Sequence, residues 1–184
     1  MEQLFEEVIP EKLTDNVFKL LGMDWMLITA GTPESFNTMT ASWGGLGVLW
    51  NKNVSYCFIR PKRYTYEFIE KSEYYTFSFF SDKSILGEEE KYRHVLDFCG
   101  EHSGRDTDKI AKTGITPLRG IHNTVYFAEA RLVIINRKLY AQHIDEKNFL
   151  DVEVFNQFYN EGNIHKQYIG EVVSVLQKKI IVLS

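Results

Sequence analysis

Hydrophobic positions along this chain fall mainly into short runs in which β-branched and aromatic residues alternate with polar ones. Such alternation predicts half-buried β-strands, because successive side chains of a strand point to opposite faces of the sheet. The runs of this kind are Asp24–Gly31, Asn53–Arg60, Tyr74–Phe80, Thr124–Ile135 and Ile169–Leu183. We therefore expect strands to dominate the fold.

Helical periodicity is confined to shorter stretches. The pattern after Thr65 predicts a brief amphipathic helix with Thr65 as its N-cap. The run GEEEKYRHVLDFCG predicts a helix with Gly100 as its C-cap and an apolar stripe of Tyr92, Val95, Leu96 and Cys99. Two further helices are predicted, one over Asp106–Gly114 ended by Gly114 and a looser one over Asp145–Gly162 ended by Gly162.

This order of elements indicates a mainly β fold, a closed or nearly closed β-barrel with short helices at its ends and crossings. A doubly wound α/β sheet would need strands alternating regularly with longer helices, and that alternation is missing. At 184 residues, with 44% hydrophobic residues and no linker-like tract, the chain is expected to form one domain over residues 1–184.

Charge and targeting signals exclude several classes of function. The net charge is −4, from 21 Lys and Arg against 25 Asp and Glu, so we expect no binding to nucleic acid or to anionic lipid surfaces. No apolar run approaches the roughly 20 residues of a membrane span. The start, MEQLFEEVIPEK, lacks the basic and apolar regions of a signal peptide, and two cysteines make no disulfide framework. We expect a cytoplasmic protein.

A basic loop stands out against this acidic background. Within Ile59–Ser72 lie four cations, and Arg60 and Arg63 flank Pro61 just before the predicted helix. Free N–H groups at a helix start, two guanidinium groups and the hydroxyls of Tyr64 and Thr65 make a phosphate-binding site. The alternative is a surface turn that happens to be basic.

A second stretch, NTMTASWGGLGVLW, predicts a strand with one hydroxyl-bearing face followed by Gly44, Gly45 and Gly47. Because glycine has no side chain, such a run lets a flat group approach the backbone closely. The spacing is not that of a dinucleotide-binding or P-loop motif. A twisted strand with a glycine bulge is the alternative reading.

Metal and nucleophile chemistry are disfavoured. His94, Cys99 and His102 are close enough in sequence to chelate, but Cys99 lies on an apolar stripe and the chain has no C-x-x-C or H-E-x-x-H motif. No nucleophile elbow G-x-S-x-G is present. The polar loop Ser103–Lys109 is rich in charged residues. A structural explanation is a capping loop in which Asp106 caps a helix and Arg105 is solvated.

Five stretches, in order, resemble the flavin reductase-like, FMN-binding split-barrel family, in particular its flavoredoxin-like branch. They span most of Met23 to Val172 and read NTMTASWGG, IRPKRYTYEFIE, YYTFSFF, CGEHSGRDTDKIAKTGITP and IHKQYIGEV. The resemblance implies a homodimer of six-stranded split barrels with FMN at or near the subunit interface.

The resemblance also implies site residues. The flavin ring would lie along the strand formed by Asn37, Thr38, Met39, Thr40, Ala41, Ser42 and Trp43. Its 5′-phosphate would be bound by Arg60, Arg63, Tyr64 and Thr65. The ring would be bordered by Ser78 and Phe79, and the flavin or its phosphate would be approached by Lys109 and His165. His165 is the candidate catalytic residue, a polar group over the open face of the flavin.

On this resemblance we expect an oxidoreductase that passes electrons from NADH or NADPH to flavin or to a redox-protein partner. An FMN-binding electron carrier without nicotinamide reductase activity is the first alternative. A flavin-free barrel acting as a hydrolase or regulatory module, with the basic loop as a surface turn, is the second.

Overall fold

The computed structural model describes residues 4–80 and 88–179, the side chains of residues 88–91 excepted. The strands are β1 (Phe5–Val8), β2 (Met26–Thr32), β3 (Ser35–Ala41), β4 (Gly44–Leu49), β5 (Lys52–Ile59), β6 (Tyr74–Phe79), β7 (Pro117–Arg119), β8 (Val125–Phe127), β9 (Leu132–His143) and β10 (Lys166–Lys178). The helices are α1 (Val17–Lys19), α2 (Tyr64–Lys71), α3 (Glu88–Glu101), α4 (Lys109–Thr113) and α5 (Val152–Tyr159). Short 3-10 turns cover Pro10–Lys12, Ile121–Asn123 and Glu146–Asn148, and a π-helical turn covers Leu20–Asp24.

Eight strands of the described residues form one antiparallel sheet, and β7 and β8 form a separate pair. The sheet order is β3-β2-β6-β9-β10-β5-β4, with β1 also paired to β10. The mainly β fold predicted from the sequence is therefore confirmed. The sheet has two strands more than the six that the family resemblance implies. Among the described strands, β3 pairs with β2 alone, so none of them covers its other edge.

Strand β2 is buried on both of its faces over most of its length. Met26 and Ile28 pack in one apolar cluster with Met39 and Phe77, while Leu27 packs on the opposite face with Leu96 and Phe127. Because alternate residues of a strand face opposite sides, a strand covered on both faces is apolar throughout. This explains the unbroken apolar run at the start of β2.

One strand prediction is wrong, because Thr124–Ile135 is two strands rather than one. Strand β8 ends at Phe127, Ala130 N–H donates to the Phe127 carbonyl, and the chain turns before β9 begins at Leu132. Strand β9 then joins the large sheet between β6 and β10. The apolar pattern does not reveal the turn because residues on both sides of it are buried.

Two helix caps are also wrong. The N-cap of α2 is Arg63, and Thr65 lies in the first turn, where its buried hydroxyl accepts from the Asn37 side chain at 2.7 Å. Gly100 lies inside α3 rather than at its end, at a place where an added Cβ would contact Thr40 Cβ at 3.4 Å. Gly114 is confirmed as the C-cap of α4, with φ 71° in the left-handed region.

The remaining helix predictions are partly confirmed. The apolar stripe of α3 is buried as expected, and consists of Tyr92, Val95, Leu96 and Cys99. The looser helix over Asp145–Gly162 is instead a 3-10 turn followed by α5, whose N-cap Asp151 accepts from two backbone N–H groups. Gly87 and residues 180–183, at the ends of two predicted elements, lie outside the described residues. Among the described helices, none has the length and apolar character that crossing a membrane requires.

Candidate functional site

A groove follows the uncovered edge of β3 and consists of three adjoining cavities. The first, about 230 Å³, is lined by residues 39–43 together with Phe58, Arg60, Arg63 and His165. The second, about 170 Å³, lies at the start of α2 and shares Met39 and Arg63 with the first. The third, about 660 Å³, shares four lining residues with the second: Asn37, Tyr64, Gly104 and Lys109. The groove therefore runs from His165 past the basic loop to α4.

The edge of β3 offers free backbone groups to this groove. A two-residue loop joins β2 to β3, with Thr32 opposite Ser35. In such a hairpin, hydrogen-bonded residue pairs alternate with non-hydrogen-bonded pairs, beginning with a bonded pair at the turn. Thr38 and Thr40 belong to non-bonded pairs, so their N–H and C=O groups point away from β2. Lys109 Nζ donates to the Thr38 carbonyl at 2.8 Å from that side. The backbone N–H and C=O of Thr40 project from the same edge.

Arg63 brings a half-buried positive charge to the groove. Its backbone N–H donates to the Arg60 carbonyl at 2.9 Å, which closes the turn at Pro61 and directs the chain into α2. Within the described residues, the Arg63 guanidinium has no hydrogen-bond or ion-pair partner. Burial, and then repulsion from Arg60, lowers the pKa of Arg63. A cation held in this way costs free energy unless an anion binds beside it.

Arg60 is positioned by the segment around α5. Its Nη2 donates to the Phe158 carbonyl at 3.2 Å, and its guanidinium lies 5.7 Å from the centroid of the Tyr159 ring. These contacts leave other N–H groups of the guanidinium available to a ligand. Arg60 and Arg63 both line the first cavity, so two guanidinium groups face the same space.

Lys109 is the third cation of the site and is almost fully buried. The Asp108 side chain caps α4 by accepting from the Ala111 N–H, and Lys109 is the first residue of the helix. Its Nζ donates to the carbonyls of Thr38 and Cys99, both at 2.8 Å, and its third N–H has no acceptor in the part of the chain that the structure describes. Burial, with a smaller contribution from the charge of Arg63, lowers the pKa of Lys109 to about 8.

The start of α2 adds backbone donors between these cations. No side chain of the described residues caps the helix at Arg63. Tyr64 and Thr65 line the second cavity together with Lys62 and Arg63. The carboxylate that lines this cavity is Glu101, exposed at the end of α3. Cations thus outnumber carboxylates around the helix start, and the arrangement favours an anion.

His165 closes the other end of the groove. Its Nδ1 lies 2.9 Å from the Tyr159 hydroxyl, and its ring centroid is 5.1 Å from that of Trp43 and 6.5 Å from that of Phe58. Burial, and then the positive charge of Arg60, lowers the pKa of His165 to about 4. The imidazole is therefore neutral near pH 7.

The structure brings most of the predicted site residues to the first two cavities. These residues are Asn37, Met39, Thr40, Ala41, Ser42, Trp43, Arg60, Arg63, Tyr64, Thr65, Lys109 and His165. Thr38 contributes its carbonyl, while its hydroxyl bonds inward to Thr29 at 2.9 Å. Ser78 and Phe79 line none of the three cavities and are fully buried, because β6 lies inside the sheet between β2 and β9.

The loop before α4 differs from the predicted capping loop. Asp108 rather than Asp106 caps the helix. Arg105 is not simply solvated, because it pairs with Glu67 and lies 4.8 Å from the centroid of the Tyr64 ring. Within the described part of the chain, no three His, Cys, Asp or Glu side chains gather as a candidate metal site.

Sequence reasoning missed several residues of the groove. Phe58 could have been found, because it lies two residues before Arg60 on β5 and alternate residues of a strand share a face. Gly104 and His102 lie next to Lys109 in space through the loop that joins α3 to α4. Phe158 and Tyr159 carry no local signal, because only the packing of α5 places them beside Arg60 and His165.

Solved structures similar to this one share its fold. One is the flavoredoxin of Desulfovibrio vulgaris (Miyazaki F), at 22% identity, TM-score 0.62, and 93% coverage of this chain and 78% of that one. Another is an FMN-binding domain of a flavin reductases-like enzyme from Shewanella baltica OS155, at 14% identity and TM-score 0.63. The match covers 95% of this chain and 77% of that one. A third, described as having a split barrel domain, is from Shewanella frigidimarina NCIMB 400, at 19% identity, TM-score 0.62, and 95% and 79% coverage. The chain therefore has the split-barrel fold.

A search of curated protein sequences returned no significant match. A family model, described as the flavin reductase like domain, matches residues 20–180. Because this match covers most of the chain, the protein belongs to the flavin reductase-like domain family.

Proposed function

We propose that this protein is an FMN-binding oxidoreductase that passes electrons from a reduced nicotinamide to flavin or to a redox-protein partner. The observation that carries the proposal is the half-buried guanidinium of Arg63, which has no partner in residues 4–80 and 88–179 and lies beside Arg60 and Lys109 at the start of α2. A site of this kind suits a phosphate group. The similar structure from Shewanella baltica is an FMN-binding domain, which supports the choice of flavin.

The residues present fit an FMN phosphate. Arg60 and Arg63 would donate to the phosphate oxygens from side chains, and Tyr64 and Thr65 from the first turn of α2. The free N–H of Lys109 would add a further donor. A phosphate monoester carries between one and two negative charges near neutral pH. Its attraction to the two guanidinium groups and the ammonium group would therefore compensate the cost of removing these charges from water.

The edge of β3 fits the polar side of a flavin ring. The ring has alternating carbonyl and N–H groups along one edge, and the backbone N–H and C=O of Thr40 are oriented to meet such groups. Trp43 and Phe58 would exclude water from the faces of the ring. His165 would present a neutral polar group to the same cavity.

Bound FMN would supply a ring that accepts hydride and passes on electrons, so no side chain of this chain needs to act as a nucleophile. The residues of the groove would bind and orient the flavin and would exclude water from it.

We also propose that residues 1–184 act as one domain, since β1 near the start pairs with β10 near the end. Exposed apolar side chains at the groove rim, Trp43 and Phe158, support the further proposal of a homodimer.

A visible spectrum before and after addition of FMN tests the cofactor, and anaerobic titration with NADH and with NADPH tests the donor. We expect FMN absorbance to be retained on gel filtration and to bleach with at least one nicotinamide at a catalytic rate. Retention of FMN without such bleaching would identify an electron carrier instead. A protein that retains no FMN would contradict the proposal as a whole.

A further inference from the structure

Tyr159 and His165 form a buried pair at one end of the groove. Tyr159 is the last residue of α5, and its hydroxyl lies 2.9 Å from Nδ1 of His165, which directly precedes β10. Only 6% of Tyr159 and 9% of His165 is exposed. Phe149 and Phe155 hold the Tyr159 ring, with centroids at 5.8 Å and 6.0 Å. The pair is therefore held by packing as well as by its hydrogen bond.

The direction of this hydrogen bond follows from the donors and acceptors present. A neutral imidazole has one N–H and one acceptor nitrogen, whereas a phenol has one O–H donor and an oxygen that can also accept. Among the described residues, Nδ1 of His165 is the acceptor within reach of the Tyr159 O–H. If Nδ1 carried the hydrogen instead, the buried phenol would have no acceptor, which costs free energy. This favours the phenol as the donor to Nδ1.

We propose that Tyr159 is a positioning residue that holds the imidazole of His165 with its hydrogen on Nε2, so that an N–H donor faces the groove. The opposite nitrogen is engaged by the phenol, and Nε2 has no partner among the described residues. The positive charge of Arg60 near both rings, and burial, keep the imidazole neutral. The ligand of this donor would be a hydrogen-bond acceptor on the FMN ring, and this part rests on the proposed function.

The tautomer can be measured without any flavin, by ¹⁵N NMR of the full chain labelled in its histidines. The resonance of His165 is assigned by its loss in the His165→Gln protein. At pH 7 we expect Nδ1 to show the shift of an unprotonated imidazole nitrogen and Nε2 that of a protonated one. The opposite pattern would overturn the proposal.

Removal of the phenol hydroxyl then tests its role. In the Tyr159→Phe protein we expect a mixture of tautomers, a higher pKa of His165, and FMN bound about two- to tenfold more weakly, as for the loss of one oriented hydrogen bond. Tyr140→Phe, at an exposed tyrosine of β9, is the matched control and should change none of these. An unchanged tautomer and pKa in Tyr159→Phe would show that packing alone orients the ring, against the proposal.

A double-mutant cycle separates positioning from a merely structural effect. The amide of His165→Gln can donate near the position of Nε2 without needing the phenol. In that background, Tyr159→Phe should have no further effect on FMN affinity, whereas a general loss of packing would weaken binding in both backgrounds. If the protein binds no FMN, the proposed function fails, but the ¹⁵N measurement still decides the tautomer. The same measurement decides it if Tyr159→Phe does not fold.

Discussion

Replacement of Arg63 by methionine tests the phosphate site most directly, because this guanidinium is half-buried and has no partner among the described residues. Methionine keeps much of the length and apolar stem of the side chain but removes its charge and its donors. We expect FMN to bind more weakly while riboflavin, which lacks the phosphate, binds as before. The free energy of unfolding of the flavin-free protein should stay the same or rise, since an uncompensated charge is removed.

The expected magnitude follows from the contact that would be lost. A hydrogen bond to a charged group contributes about 1.5–3 kcal/mol. Because Arg63 is only half-buried, solvent screens part of this, and we expect the lower part of the range, about 1.5–2 kcal/mol. That corresponds to an FMN dissociation constant roughly ten- to thirtyfold higher.

Titration calorimetry with FMN and with riboflavin measures both affinities, and a thermal melt measures stability. Arg137→Met is the matched control, because Arg137 lies on β9, is paired with Glu171 at 2.7 Å and does not line the groove. It should leave both affinities unchanged. Equal weakening of FMN and riboflavin by Arg63→Met would refute the assignment of Arg63 to the phosphate, and so would unchanged FMN binding.

Four further predictions concern the same groove. Burial lowers the pKa of Lys109 to about 8, so the positive charge of Lys109 is lost as the pH rises through 8. FMN affinity should therefore fall between pH 7 and 9.5, and this pH dependence should vanish in Lys109→Met. The lowered pKa also means that the unfolded chain binds more protons between pH 8 and 10.5, so this group should make stability rise with pH there, as urea unfolding would show. Gly104→Ala should lower stability by about 1–3 kcal/mol, because the added Cβ would collide with Asn37 Oδ1. Gly47→Ala is the control, since a Cβ there would meet open space, and thermal melts should show a smaller loss of stability. Thr65→Val should lower stability by about 1–3 kcal/mol, since one N–H of the buried Asn37 amide loses its acceptor while the amide still donates to the Thr38 carbonyl at 3.3 Å. An unchanged unfolding midpoint would contradict the bond to Thr65.

Much of the candidate site was predictable because it depends on short stretches of chain. Pro61 and the helix that follows it place Arg60 and Arg63 near one another by local geometry alone. The strand with Met39 and Thr40 was predictable from its alternation. The position of Lys109 required the resemblance to a family, because the contact of its Nζ with the Thr38 carbonyl joins residues 71 positions apart.

Other features could not be predicted from local patterns. Ser78 follows the same alternating pattern as the strand that lines the groove, but the order of strands places β6 inside the sheet, where both of its faces are covered. The turn between β8 and β9 is hidden because the residues on both sides of it are buried. In each case a pattern of apolar residues reports burial without reporting what covers the residue.

The amino-acid sequence by itself determined the mainly β fold, the basic loop before α2 and the stop of α4 at Gly114, because alternation, proline geometry and a left-handed glycine act within a few residues. Only the tertiary structure decided that β3 would be an edge strand with free backbone groups. It alone also brought Tyr159 of α5 against His165 at the start of β10. Such contacts arise when whole elements pack against one another, and packing depends on the shape and burial of both partners rather than on either segment alone.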